Sequence, residues 1–254
     1  MASNDPRFSI GSYTDARAGA PAIDQGLRAF MLAVYNHMTI GVALTGLVAL
    51  GTYMASAIEV NGQLTGLTAF GQVLYLSPLK YVVMLAPLGL VMWLGMGAEK
   101  MSASTARALF YVYAALMGLS LSTIFLVYAH GSIARVFFIS AASFGALSLY
   151  GYTTKRNLSA MGSFLMMGLI GLLIASVVNM FFPSGPLTFL ISVVGVGVFA
   201  GLTAWDTQKI KSMYLQGGRT QEEGYKLAIL GALELYLDFI NLFLMMLRLL
   251  GDRR

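Results

Sequence analysis

The chain has 254 residues, 57% of them hydrophobic and only 11% charged, with a mean hydropathy of +0.74. A soluble domain is roughly 45–50% apolar and about 25% charged, so this composition excludes a soluble enzyme and leaves room for several membrane crossings and little else. There are no cysteines and two histidines, His37 and His130, which removes disulfides, thiolate ligands, cysteine nucleophiles and a histidine-based zinc site. The net charge of +5 does not point to nucleic acid, because the basic residues stand singly or in pairs between apolar runs, as in loops at a membrane surface.

Residues 1–28 form a polar tail in which Arg7, Arg17 and Arg28 alternate with Asp5, Asp15 and Asp24. It has no apolar h-region and carries acids, so it reads as neither a secretory signal nor an organelle transit peptide. Residues 29–254 read as one membrane domain. Apolar stretches at about 31–55, 79–98, 106–128, 133–153, 161–182, 187–208 and 227–250 are each long enough to cross about 30 Å of hydrocarbon at 1.5 Å per residue. Turn-like separators lie at Glu59 to Pro78, Glu99–Lys100, His130–Gly131, Lys155–Arg156–Asn157 and Pro183–Ser184–Gly185–Pro186, and a polar loop runs from Lys209 to Lys226. The third and fourth stretches are so close that they form a tight helical hairpin. The fold class is therefore all-α and polytopic, with seven transmembrane helices.

Alternate sides of the membrane carry unequal positive charge. The tail, Lys100, Arg107, Lys155, Arg156, Lys209, Lys211, Arg219 and Lys226 place eleven Lys and Arg on one side. Lys80, Arg135, Arg248, Arg253 and Arg254 place five on the other. The excess predicts a cytoplasmic N-terminus and, with seven spans, a C-terminus outside.

From Lys100 to Trp205 there is no Asp or Glu. Asp206, Glu234 and Asp238 then fall in or near the last two spans, where a charged group at mid-membrane costs about 2.5–3.5 kcal/mol on insertion scales. Such residues need a partner or a wet cavity and are functional candidates by default. Glu234, Asp238 and Asn241 share one helix face at offsets of zero, four and seven. Whether Asp206 meets Asp238 depends on register. If hydrocarbon begins at Leu227, Asp238 lies roughly 16 Å deep; if it begins near Gly231, the depth is about 10 Å, close to that of Asp206. The plain alternative pairs Asp206 with Lys209 one turn on and bonds Asp238 to hydroxyls of a neighbouring helix. Gly197-x-x-x-Gly201 reads as a packing motif, Asn36 and His37 as interfacial residues, and the 16 methionines as core filling.

The run Leu233–Glu234–Leu235–Tyr236–Leu237–Asp238–Phe239–Ile240–Asn241–Leu242–Phe243, followed by Leu247–Arg248–Leu249–Leu250–Gly251, resembles the C-terminal signature of the Bax inhibitor family. Asp206–Thr207–Gln208 is similar to that family's other acidic motif. Gly145–Ala146–Leu147–Ser148–Leu149–Tyr150–Gly151 with the residues through Ser159, and Tyr35–Asn36–His37–Met38, resemble bacterial members. The resemblance covers about Asp24 to Gly251. It implies six helices packed around a central C-terminal seventh, and a calcium leak modulated by pH through two aspartates, which by motif are Asp206 and Asp238. Some bacterial members carry an arginine cluster after the second span, proposed to latch one aspartate in the closed state. Here the region reads Ala98–Glu99–Lys100–Met101, so Lys100 is the nearest basic candidate, without the planar fork that grips a carboxylate with two bonds.

Two carboxylates in a low-dielectric site share protons and titrate as a unit, which allows pH sensing without histidine. With carbonyls and water, Asp206 and Asp238, enlarged by Glu234, would make a weak calcium site. The expected function is a pH-modulated calcium leak channel or calcium/proton exchanger of a bacterial plasma membrane. Its partners are the lipid bilayer, calcium as transported ion and protons, with no cofactor and no nucleic acid. The rival is a regulatory protein that binds other membrane proteins, the acids serving only assembly. An intramembrane enzyme is not expected: there is no His-Glu-x-x-His and no Gly-x-Gly-Asp, Ser184–Gly185 follows Phe182–Pro183, and the seventh span has a lysine only at its start, Lys226.

Overall fold

A computed structural model of the chain describes residues 20–60, 63–97, 101–217 and 220–254. The long helices are α1 (Ala20–Ser56), α3 (Leu79–Gly97), α4 (Ala103–Leu121), α6 (His130–Thr153), α7 (Ser159–Phe181), α8 (Gly185–Leu215) and α9 (Gln221–Leu250). α4 continues through the short α5 (Ile124–Val127) as one span. Among the described residues seven helical segments are thus long and apolar enough to cross a membrane, in the number and order expected.

The distribution of apolar side chains follows from a lipid solvent. Phe164, Met167, Leu173 and Phe181 of α7 and Val82, Met84, Leu88 and Met96 of α3 are all exposed. In water such surfaces would aggregate; in hydrocarbon they cost nothing. The chain is an integral membrane protein.

Two separators differ from expectation. Glu59 to Pro78 is not merely a turn: β1 (Ala57–Val60) and β2 (Gln63–Leu67) pair antiparallel, and α2 (Ala69–Leu76) follows, N-capped by Thr68. Edge backbone groups are tolerable there because this segment lies beyond the end of α1, outside the span. The Lys209–Lys226 stretch is not a loop throughout either. α8 stays helical to Leu215 and α9 starts at Gln221, where Thr220 and Glu223 form a reciprocal capping box. The helix can carry its lysines because they are matched: Lys211 Nζ donates to the Tyr152 carbonyl at 2.7 Å, and Lys209 reaches carboxylates. Asp206 therefore sits inside α8.

α9 is the most buried span. Its most apolar window is 67% buried, against 11% for α3 and α7. It packs chiefly against α8, α1, α6 and α4, while α3 rests mainly on α4 and α2, and α7 mainly on α8. Four spans thus make its principal contacts. Aromatic rings fill the join: Tyr236 meets Phe110 and Tyr113 edge-on with centroids 5.7 Å apart, and Phe239 meets Phe137 and Phe144 at 5.6 Å.

Small residues set the closest approaches. A Cβ on Gly151 of α6 would run into the backbone carbonyl of Ala204 on α8, two residues before Asp206. Backbone cannot step aside as a side chain can, so Gly151→Ala should cost about 1–3 kcal/mol by overpacking. Thermal unfolding in detergent checks this; an unchanged midpoint would refute the close approach. In the Gly197-x-x-x-Gly201 motif only Gly201 meets a neighbour, its position facing Leu165 of α7 at 2.8 Å from an added Cβ, whereas Gly197 faces open space.

The end of the molecule holding the β-hairpin is fastened by the C-terminus. The Ala129 N–H donates to the Asp252 carbonyl, the Asp252 N–H to Ser132 Oγ, and the Arg254 N–H to the Val127 carbonyl, at 2.8–3.0 Å. Arg254 Nη1 lies 2.7 Å from Glu59 Oε1, and the Tyr53 hydroxyl donates to the same oxygen. That hydroxyl bond, and then the Arg254 guanidinium, hold the Glu59 carboxyl below its ordinary value of 4.5. A carboxyl with a lowered folded value stabilises above its unfolded value, and the gain is lost as pH falls through the lower folded one. Glu59→Gln should thus lower the melting temperature at neutral pH, and its deficit relative to wild type should close only below about pH 4.5. A deficit that persists undiminished in acid would contradict the clamp.

Candidate functional site

The antiparallel pairing of α8 and α9 can be followed residue by residue. Ile210 lies against Gly231, where an added Cβ would sit 3.1 Å from Ile210 Cγ2. One step deeper, Lys209 Nζ is 2.9 Å from Glu234 Oε1. One turn deeper again, Asp206 and Asp238 lie next to each other across the α8–α9 pairing. Whichever residue enters the hydrocarbon first, the helix pairing sets Asp206 and Asp238 at the same level, as the second of the two registers allows.

Asp206 and Asp238 are buried, at 8% and 5% exposure. Lys209 is the cation that faces the group: besides Glu234, its Nζ lies 3.4 Å from Asp206 Oδ1, and it stands 5.3 Å from the centroid of the Trp205 ring. One ammonium thus pairs with two carboxyl groups, those of Asp206 and Glu234. Among the described residues two buried oxygens, Glu234 Oε2 and Asp238 Oδ2, find no hydrogen-bond partner. Buried polar atoms are nearly always paired, so these two mark a place where a proton, water or cation is wanted. Among the described residues no three acidic or histidine side chains converge closely enough to hold a metal ion, so a tight all-protein calcium cage of six to eight oxygens is not built here.

The remaining candidates sit as follows. Asn241 Nδ2 donates to the Leu237 carbonyl of its own helix at 2.8 Å, so its side chain is engaged locally rather than with the carboxyls. Lys100 and its neighbour Glu99 lie outside the described residues. His37 Nδ1 is 2.7 Å from the Tyr111 hydroxyl and its ring meets Tyr225 edge-on; Arg107 Nη1 donates to the Tyr225 hydroxyl at 3.0 Å. This cluster ties α1, α4 and α9 together near the ends where those helices carry their basic residues. Asn36 is exposed.

A second polar chain was not anticipated. The Tyr35 hydroxyl and Ser148 Oγ are 2.6 Å apart, and Ser148 Oγ and Thr207 Oγ1 are 2.9 Å apart. It links α1, α6 and α8 and ends on the residue after Asp206. A serine within an apolar span signals an interhelical bond, but its partners are more than fifty positions away in sequence and only packing names them.

The family model described as inhibitor of apoptosis-promoting Bax1 matches residues 27–254. The chain belongs to the Bax inhibitor family. This Bax inhibitor family member is similar to an uncharacterized protein of Rickettsia prowazekii, 51% identical over 91% of this chain and 92% of that one. It is also similar to the inner membrane protein YbhL of Escherichia coli, 47% identical over 90% of this chain and 94% of the relative. An uncharacterized membrane protein of Streptococcus pyogenes is 36% identical over 80% of this chain and 94% of its own length.

Proposed function

We propose that this Bax inhibitor family protein is a pH-modulated pathway for calcium across the membrane, a leak channel or a calcium/proton exchanger, governed by protons shared between Asp206 and Asp238. The observation that supports this most is the pair of buried oxygens, Glu234 Oε2 and Asp238 Oδ2, that find no partner among the described residues although the Lys209 ammonium lies beside them. Acids used only to glue helices would have their lone pairs satisfied by hydroxyls or amides.

In this reading Lys209 acts as a latch. Ionised Asp206 and Glu234 hold the Lys209 ammonium between α8 and α9, and this is the closed arrangement. Protons arriving at the acids neutralise the groups that attract Lys209, the tie between the helices weakens, and the path past the carboxyls opens. Two or three carboxyl oxygens supplemented by water bind calcium loosely, as transport requires. The reading assigns no enzymatic step. The face bearing Lys155, Lys209, Lys211 and Lys226 is cytoplasmic by the excess of positive charge, and the membrane is the bacterial inner membrane, in keeping with the name of the Escherichia coli relative.

Purified protein reconstituted into liposomes loaded with a calcium-sensitive dye should admit calcium faster than empty liposomes, and faster near pH 6 than near pH 8. No flux above empty liposomes overturns transport and leaves regulation through other membrane proteins as the surviving function.

A further inference from the structure

α1 and α6 do not close on each other along their length. Between them runs a cleft of about 610 Å³, walled by Met31 and Val42 of α1 and by Ala141 and Gly145 of α6, with Phe239 of α9 among the residues lining it. The α1 side of the wall extends from Arg28 to Val42, about 21 Å at 1.5 Å per residue. One leaflet of a bilayer contributes about 15 Å of hydrocarbon, so the cleft is as deep as a lipid tail is long.

Its two ends differ. At one end stand Arg28, exposed and without an ion pair to the other described residues, and Tyr152, whose ring lies 4.9 Å beneath the ammonium of Lys211. Further in, the walls are apolar except for Thr39 and the Tyr35 and Ser148 hydroxyls, and these two hydroxyls bond each other. Among the described residues no acidic side chain lines the cleft. Such a slot, at membrane depth and open at the side, offers water almost nothing to bond to and offers a hydrocarbon chain contact along its length. Positive charge at the end that meets the headgroups selects negative ones, since basic pockets between helices at that level bind anionic headgroups.

We propose that the α1–α6 cleft is a binding site for one anionic phospholipid, its acyl chain lying along the wall from Met31 to Val42 and its phosphate against Arg28. The bound chain covers the Tyr35–Ser148 bond, and through Thr207 that bond leads to the residue beside Asp206.

Delipidated protein in detergent, mixed with equal amounts of phosphatidylglycerol and phosphatidylcholine, tests the site by native mass spectrometry of the retained lipid. Wild type should keep one lipid and favour phosphatidylglycerol by about tenfold, the factor that corresponds to about 1.4 kcal/mol. Arg28→Gln, at an exposed position that leaves the fold intact, should reduce that preference to near unity. Gly145→Leu adds a side chain where nothing lies within 4 Å of a new Cβ; it should fill the cleft and lower retention of both lipids. Equal retention of the two lipids by wild type, or an Arg28→Gln protein with undiminished preference, overturns the proposal. A rise or fall of dimer content in Gly145→Leu with lipid retention unchanged also overturns it, since the cleft would then seat a second copy of the chain.

Discussion

Asp238→Asn should flatten the pH dependence of calcium flux, bringing the ratio of rates near pH 6 and near pH 8 to within about twofold of unity, and Asp206→Asn should do the same. Asn keeps the volume and the hydrogen-bonding reach of Asp but neither gains nor loses the proton. The Asp206 and Asp238 carboxyls are neighbours in one buried site, so a proton on either belongs to the pair, and removing one member removes the coupled titration. The double variant should therefore differ little from either single one. Fully additive effects would mean two independent acids. A flux in wild type that falls on acidification would mean that protons compete with calcium for the same oxygens, and the tie through Lys209 would not be the gate.

Lys209→Met should produce the largest loss of stability of any single change at the site. It leaves Asp206 and Glu234 without the ammonium that lies 3.4 Å and 2.9 Å from them, next to the already partnerless Asp238 Oδ2. Removing one partner of a buried ion pair costs about 3–5 kcal/mol, and the partial exposure of Lys209 and Glu234 brings the expectation down to about 2–3 kcal/mol. Adding Glu234→Gln should recover part of the loss, because it withdraws one of the uncompensated charges. Thermal unfolding of the single and double variants near pH 7.5 measures both quantities. On the proposed gating, the same Lys209→Met protein should leak calcium faster than wild type near pH 8. Normal stability with normal closure would show that Lys209 is a bystander.

Number, order and approximate ends of the spans were legible in the chain because a bilayer imposes a simple requirement: about twenty consecutive apolar residues per crossing, whatever they pack against. The acids were legible for the same reason in reverse, since a carboxylate inside hydrocarbon is costly wherever the neighbouring helices lie. Local cues did not reach the hairpin over Ala57–Val60 and Gln63–Leu67 or the helical continuation of α8 through Lys209 and Lys211. The hairpin has few residues and weak alternation. The helix continues because Glu234 and the Tyr152 carbonyl, both distant in sequence, satisfy lysines that by themselves signal a loop.

The nature of the acid site was a question of register, and register is decided by packing. Leu227 and Gly231 are equally acceptable as the first residue of a hydrophobic stretch, and the difference of about one helical turn separates two unrelated acids from one shared site. That choice rests on Gly231 receiving Ile210 and on Gly151 admitting the α8 backbone beside Ala204. The sequence by itself determined that this is a seven-span membrane protein with three acids out of place, because burial in lipid is a property of each segment alone. Only the tertiary structure decided that Lys209 faces those acids and that α1 and α6 leave a cleft between them, because both depend on side chains of separate helices meeting at one depth.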